Sequence, residues 1–260
     1  MGGAKIGLVE LPLALMNPGD LLLLPDPGYP DYLSGVSLGR VAYETFPLTA
    51  ENDFLPDLDA IPEETARRAK FIYINYPNNP TGAVATKAFY EKLVAWAKTY
   101  EVGVVSDLAY GALGYQGYEN PSFLSTPGAK DVGIEFYTFS KTFNMAGWRL
   151  AFAAGNDQMI EALNLIQDHL FVGIFPALQE AGIAALLDPK SEEAVAQLNA
   201  TYDSRRDAFV QAAAKIGWQA FPSRGSFYAW MPVPEGYTSE SFADLLLEKV
   251  HVAVAPGKGF

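Results

Sequence analysis

The run Phe71-Ile72-Tyr73-Ile74 is apolar at every position. A strand with one wet face alternates apolar and polar residues, so a run like this one must be covered on both faces, as in a parallel sheet sandwiched by helices. Similar short runs rich in branched and aromatic residues recur at Leu21–Leu24, Val41–Phe46, Val102–Ser106, Glu135–Phe139 and Arg149–Ala153. Between them lie longer helical patterns at Ile6–Leu15, Lys87–Tyr100, Asp157–Leu170 and Pro176–Leu187. Turn signals separate the elements: Asn17-Pro18-Gly19, Pro25-Asp26-Pro27-Gly28 and Asn78-Asn79-Pro80-Thr81-Gly82. Strands alternating with helices predict an α/β fold built on one open, mainly parallel sheet.

After Pro189 the texture changes. A long polar helical pattern, Ser191 to Ile216, opens on Ser191-Glu192-Glu193, an N-cap and acidic first turn. Expected strands at Trp218–Phe221, Ser226–Met231 and His251–Ala255 flank a helix from Ser239 to Lys249. That order predicts a large domain over residues 1–200 and a smaller α+β unit over 201–260, hinged on the long helix.

Composition narrows the function. Half of the 260 residues are hydrophobic, 13% are aromatic and 18% are charged, which supports a sizeable core and rules out general disorder. Eighteen Lys and Arg against thirty Asp and Glu give a net charge of −12. Such a surface repels phosphate backbones and anionic lipid, so neither nucleic acid nor membrane is the expected partner. With no cysteine there is no disulfide, thiolate catalyst or Cys-ligated metal. The apolar stretch Leu8–Leu24 is broken by Glu10, Pro12, Asn17, Pro18, Gly19 and Asp20, too often for a membrane span. A cytoplasmic protein is the expectation.

Several residues invite chemistry. Lys141 follows an apolar strand, within Tyr137-Thr138-Phe139-Ser140-Lys141, with Arg149 eight positions on. A lysine desolvated there has a lowered pKa and a free amine able to form Schiff bases. The two hydroxyls and the guanidinium suit a phosphate. Asp107 ends another apolar strand, with Tyr110 three residues later, and open α/β sheets bind ligands at such strand ends. A turn cap is the more ordinary use of such an aspartate. Asn78–Gly82 likewise reads as a plain turn when taken alone. Gly2-Gly3-Ala4-Lys5 precedes a helix and would offer free N–H groups to an anion. Tyr29 is a rigid aromatic placed after a strand, able to stack on a flat ring or to fill core. His169 and His251 lack any metal-ligand spacing and read as structural, and Ser226 lacks a Gly-x-Ser-x-Gly elbow.

Taken in order, four phrases carry a resemblance: Asp26-Pro27-Gly28-Tyr29-Pro30, Tyr76-Pro77-Asn78-Asn79-Pro80-Thr81-Gly82, Asp107-Leu108-Ala109-Tyr110 and Ser140-Lys141-Thr142-Phe143-Asn144-Met145-Ala146-Gly147-Trp148-Arg149. With Gly225-Ser226-Phe227-Tyr228 in the smaller unit, the whole chain resembles the class I/II pyridoxal-phosphate aminotransferases of fold type I. The resemblance implies that Lys141 bears pyridoxal 5′-phosphate as a Schiff base and shuttles the substrate proton. Asp107 would pair with the pyridinium nitrogen, making the ring an electron sink. Asn79 and Tyr110 would hydrogen-bond its phenolic oxygen, and Tyr29 would stack on its face. Arg149, Thr138, Ser140 and the backbone amides of Ala4 and Lys5 would hold the phosphate; many relatives carry a hydroxyl residue where this chain has Ala4.

The implied reaction moves an amino group between an L-amino acid and a 2-oxo acid, in a homodimer. Residues 25–36 and Gln167-Asp168-His169 are similar to the methionine-salvage branch, which aminates 4-methylthio-2-oxobutyrate. A C–S β-lyase of the same fold and a ligand-sensing domain of a transcription regulator are the rival readings. Family members extend upstream of the glycine loop and beyond a Pro-Gly-x-x-Phe segment, here Pro256–Phe260, to a carboxylate-binding arginine. A piece of a longer transaminase is therefore the expectation.

Overall fold

The computed structural model describes residues 1–260. In chain order the elements are α1 (Ala4–Leu15), β1 (Leu21–Asp26), α2 (Tyr32–Gly39), β2 (Ala42–Pro47), α3 (Glu63–Arg68), β3 (Ala69–Asn75), α4 (Lys87–Tyr100), β4 (Gly103–Asp107), α5 (Ala129–Val132), β5 (Gly133–Thr138), α6 (Phe139–Thr142), β6 (Ala151–Gly155), α7 (Asp157–Leu170), α8 (Pro176–Leu187), α9 (Ser191–Lys215) and α10 (Ser239–Val250). The six strands form one sheet in the order β2-β1-β3-β4-β5-β6, and every pairing is parallel except β5 with β6.

The all-apolar strands now have their explanation. Along β1 and β3 successive side chains point to opposite faces, and both faces are buried. Leu21, Leu23, Ile72 and Ile74 face one layer, where Phe89, Tyr90, Leu93 and Ala97 of α4 meet them. Leu22, Leu24, Phe71 and Tyr73 face the other, against Leu8 and Leu11 of α1, Tyr32 and Val36 of α2, and Leu163 of α7. Sealing Leu11 and Leu93 completely from water stabilises the fold by about 1.5–3 kcal/mol each. Helix α4 is bounded by its sequence. The Thr86 hydroxyl accepts from the Phe89 N–H at 3.1 Å, and Glu101 ends the helix in a left-handed turn at φ 58°.

Residues 171–260 differ. In the 25-residue α9 only Ala213 is buried, and in α10 only Ala243. The strands expected at Trp218–Phe221, Ser226–Met231 and His251–Ala255 are absent: these stretches join no ladder. Strand propensity is realised only where a partner strand satisfies the backbone, and here one bond, Phe221 N–H to Trp230 C=O at 3.0 Å, is all that links the first two. The expected domain boundary at residue 200 falls inside α9. No helix is long and apolar enough to cross a membrane.

What positions a site is the common edge at which β3, β4 and β5 stop. Asn75, Asp107 and Thr138 are their last residues, so three chemically useful side chains arrive at one rim.

Candidate active site

That rim opens into a cleft of about 530 Å³. All ten residues singled out from the sequence line it: Ala4 and Lys5 from the start of α1, Tyr29 after β1, Asn79 after β3, Asp107 and Tyr110 at the end of β4, then Thr138, Ser140, Lys141 and Arg149. Leu8, Asn75, Ala109, Ala146 and Tyr228 complete the lining. His169 and His251 lie exposed outside it, and no group of three or more His, Asp or Glu could hold a metal.

Part of the lining gathers donors that suit an anion. Helix α1 begins at Ala4 with no side chain capping its free N–H groups, so its positive dipole end is open. A Cβ on Gly3, whose φ is 102°, would sit 2.2 Å from the Arg149 guanidinium, so only glycine lets the cation lie against the backbone there. Arg149 Nη1 donates to the Ala146 carbonyl at 2.9 Å, which fixes the guanidinium. Beside it the Thr138 hydroxyl donates to Ser140 Oγ at 3.0 Å and accepts from the Ser140 N–H at 3.2 Å. Two hydroxyls, a guanidinium and a bare helix start are the donors a phosphate needs.

Asp107, on the adjacent strand end, presents an acceptor. Asp107 is buried, with Oδ2 accepting from the Tyr32 hydroxyl at 3.0 Å, while Oδ1 has no partner. Burial pushes its carboxyl up to about 6, against the opposing pull of the Tyr32 hydroxyl and the Ala109 N–H. A buried carboxylate oxygen without a donor is costly, and a protonated ring nitrogen would satisfy it. Asn75 ties the rim together. Its Nδ2 donates to the Asp107 carbonyl at 2.7 Å, and its Oδ1 accepts from the Asn79 N–H at 2.8 Å. Asn79 Oδ1 is likewise buried and unpartnered.

The same lining carries aromatic rings and the lysine amine. The Tyr29 side chain is half-buried, with Lys5 Nζ 5.8 Å from its ring centroid and paired to Asp31 at 2.6 Å. Burial, with Tyr228 beside it, pushes the Tyr110 hydroxyl far up, so it stays neutral and can donate. Lys141 is half-buried on α6. Desolvation first, and the Arg149 charge second, hold its pKa below the ordinary lysine value, which raises the share of free amine.

Sequence reading missed Tyr32, Asn75 and Tyr228. Asn75 carried a usable signal, a polar residue closing an all-apolar strand one position before Tyr76-Pro77. Tyr32 carried none, because its hydroxyl meets Asp107 only through tertiary packing.

Known proteins resemble this chain over its whole length. A family model described as "Aminotransferase class I and II" matches residues 1–260. The L-glutamine–4-(methylsulfanyl)-2-oxobutanoate aminotransferase of Bacillus subtilis is 57% identical over 258 residues, covering 99% of this chain and 64% of that protein. An LL-diaminopimelate aminotransferase of Moorella thermoacetica is 49% identical, with 99% of this chain and 66% of that protein covered. The substrate-bound structure of BacF from Bacillus subtilis superposes with a TM-score of 0.95 at 47% identity, over 100% of this chain and 66% of that one. The chain thus spans about two thirds of the length of the relatives it matches.

Proposed function

The chain belongs to the class I and II aminotransferases, with their fold type I architecture, and on that premise we propose that it carries pyridoxal 5′-phosphate on Lys141 and moves an amino group between an amino acid and a 2-oxo acid. The observation that carries the reading is the set of groups gathered in one cleft. Phosphate donors lie at Ala4 and Arg149, an unsatisfied buried acceptor lies at Asp107, and Lys141 lines the same cleft. That combination of groups suits a phosphorylated pyridine.

The bound cofactor supplies an aldehyde for the substrate amine and a ring that takes up the electron pair left when the α-proton departs. The chain's residues do the rest. Arg149, the Thr138 and Ser140 hydroxyls and the amides of Ala4 and Lys5 would hold the phosphate. Asp107 Oδ1 would accept from the ring N–H, and that bond would favour the ionised carboxylate. Asn79 and Tyr110 would donate to the phenolic oxygen, and Tyr29 would stack on the ring. Lys141 Nζ would anchor the cofactor and move the substrate's α-proton; its lowered pKa favours the free amine that accepts it.

For the substrate, the 57% relative favours amination of 4-methylthio-2-oxobutyrate with glutamine as donor. The homodimer belongs to the same reading. The test is intact mass after borohydride reduction with added cofactor. One reduced pyridoxal-phosphate unit on the Lys141 peptide supports the reading, and its absence overturns it. Parallel assays with 4-methylthio-2-oxobutyrate and LL-diaminopimelate then separate the substrate classes, and pyruvate plus ammonia from a β-thio amino acid would point to a lyase instead.

A further inference from the structure

Nothing in the proposed reaction uses Phe227, yet its ring centroid lies 5.1 Å from Lys141 Nζ. We propose that Phe227 is the positioning residue for Lys141. Its ring face, delivered by the second region of the chain, holds the lysine amine at the cleft whenever that amine is free of cofactor. This rests on Lys141 being the reactive amine.

The placement of the ring is heavily determined. Ser226, just before it, is wholly buried and left-handed at φ 58°, a conformation that side-chain-bearing residues seldom adopt. Its N–H donates to the Leu113 carbonyl at 3.2 Å, and its own carbonyl accepts the Tyr115 hydroxyl. Upstream, the N–H groups of Arg224 and Gly225 both donate to the Gly82 carbonyl, at 3.0 and 3.1 Å. The segment is thereby stitched to the loop bearing Asn79 and to the loop following Tyr110. Arg206 of α9 adds a clamp, 4.8 Å from the Tyr115 ring centroid and bonded to the Ser223 carbonyl at 3.3 Å. The Phe227 ring then packs among Tyr110 at 5.2 Å, Tyr228 at 5.1 Å and Tyr202 at 5.5 Å, which support it beside the lysine.

The ring acts through its quadrupole, which attracts the ammonium form and opposes the effect of burial and Arg149. The other charged and titratable groups on the cleft wall are Lys5, Tyr29, Asp107, Tyr110 and Tyr228. Of these, Tyr110 and Tyr228 also pack on the Phe227 ring, which is why Phe227→Tyr, keeping that packing, is the control.

Trace acetylation of the cofactor-free full chain across pH, with the exposed Lys87 as internal reference, reads the titration of Lys141. Phe227→Leu should lower its midpoint by about half a pH unit, so that labelling below the midpoint rises roughly threefold. Phe227→Tyr, which keeps a ring, should titrate as the parent. If Phe227→Leu does not fold, as judged by circular dichroism, Phe227→Met takes its place. An unchanged Lys141 profile in a folded aliphatic variant, or an equal shift in Phe227→Tyr, overturns the proposal. Borohydride adducts collected on the same proteins separate the two ideas. A titration shift without any adduct leaves Phe227 in its role and removes the aminotransferase reading.

Discussion

Residues 1–170 and 171–260 are made of similar amino acids and solve different problems. In the first region the four inner strands β1, β3, β4 and β5 are buried along most of their length, while the edge strands β2 and β6 are partly open, and two helical layers close both faces. In the second, Val172 is 86% exposed and Leu187 75%, and Val252 and Val254 lie open near the end. The first region carries nearly all of the cleft on strand ends that cannot move without breaking the core. The second contributes Tyr228 to the lining and the Phe227 ring, both delivered through one stitched segment. The strand-end donors and the ring beside Lys141 thus come from different stretches of chain.

The comparison can be broken most severely at Lys141. Lys141→Arg should remove the reducible adduct and lower transamination by at least about 10²–10⁴-fold, the share owed to proton transfer alone, in a chain that unfolds normally in urea. Loss of activity accompanied by collapse of the urea midpoint would instead make Lys141 a folding residue.

Next in size is the asymmetry in packing. Leu93→Ala, at a site sealed from water, should cost about 2–5 kcal/mol in urea unfolding. Equal costs for Leu93→Ala and for the exposed Leu187→Ala would abolish the distinction between the regions.

The Asp107 carboxyl gives a pH signature that belongs to the first region only. Burial pushes it from the ordinary 3.8 up to about 6. Between those values the folded chain holds a proton that the unfolded chain has released. Relative to a chain without this carboxyl, the cofactor-free fold is therefore most favoured below 3.8 and loses that advantage as pH rises through about 6. At roughly 1.4 kcal/mol per pH unit the difference amounts to about 3 kcal/mol. Asp107→Asn should flatten this part of the stability–pH curve, and an unchanged curve would place the carboxyl outside the buried network.

The smallest effects belong to the second region. Leu187→Ala should stay within about 0.5 kcal/mol of the parent. Amide exchange should sharpen the same contrast, with α9 and α10 exchanging through partial opening while β3 and β4 exchange only through global unfolding.

How far the sequence spoke follows the same division. Lys87–Tyr100, Asp157–Leu170 and Pro176–Leu187 have the helix limits read from pattern and caps, and each predicted sheet strand is displaced by no more than two residues at either end. Local periodicity and burial agree there. Helix α2 escaped because Gly35 and Gly39 lower its propensity, and the burial of Tyr32, Gly35 and Val36 against α1 and the sheet overrides that. The three strands expected after residue 217 failed for the converse reason: branched and aromatic residues were present, but no neighbouring strand pairs with them. In the cleft, residues on short motifs were legible because most of those motifs end a strand, while Ala4 and Lys5 open a helix after two glycines. Tyr32 and Phe227 were not, since their partners lie 75 and 86 positions away and only packing brings them together.

The close fit of Gly3 against Arg149 has a consequence for synthesis. The two are 146 positions apart, and Ala151 also exchanges hydrogen bonds with Met1, its N–H donating to the Met1 carbonyl at 3.1 Å. At about 5–20 residues per second, a ribosome needs roughly 7–30 s between making the glycine and making the arginine that lies against it. For that interval the anion cradle is half a site, and the apolar face of α1 has neither β5 nor α7 to cover it. The cleft is thus a late product of translation, its Gly3–Arg149 contact made only as the sheet is finished and its lining completed later still by Tyr228.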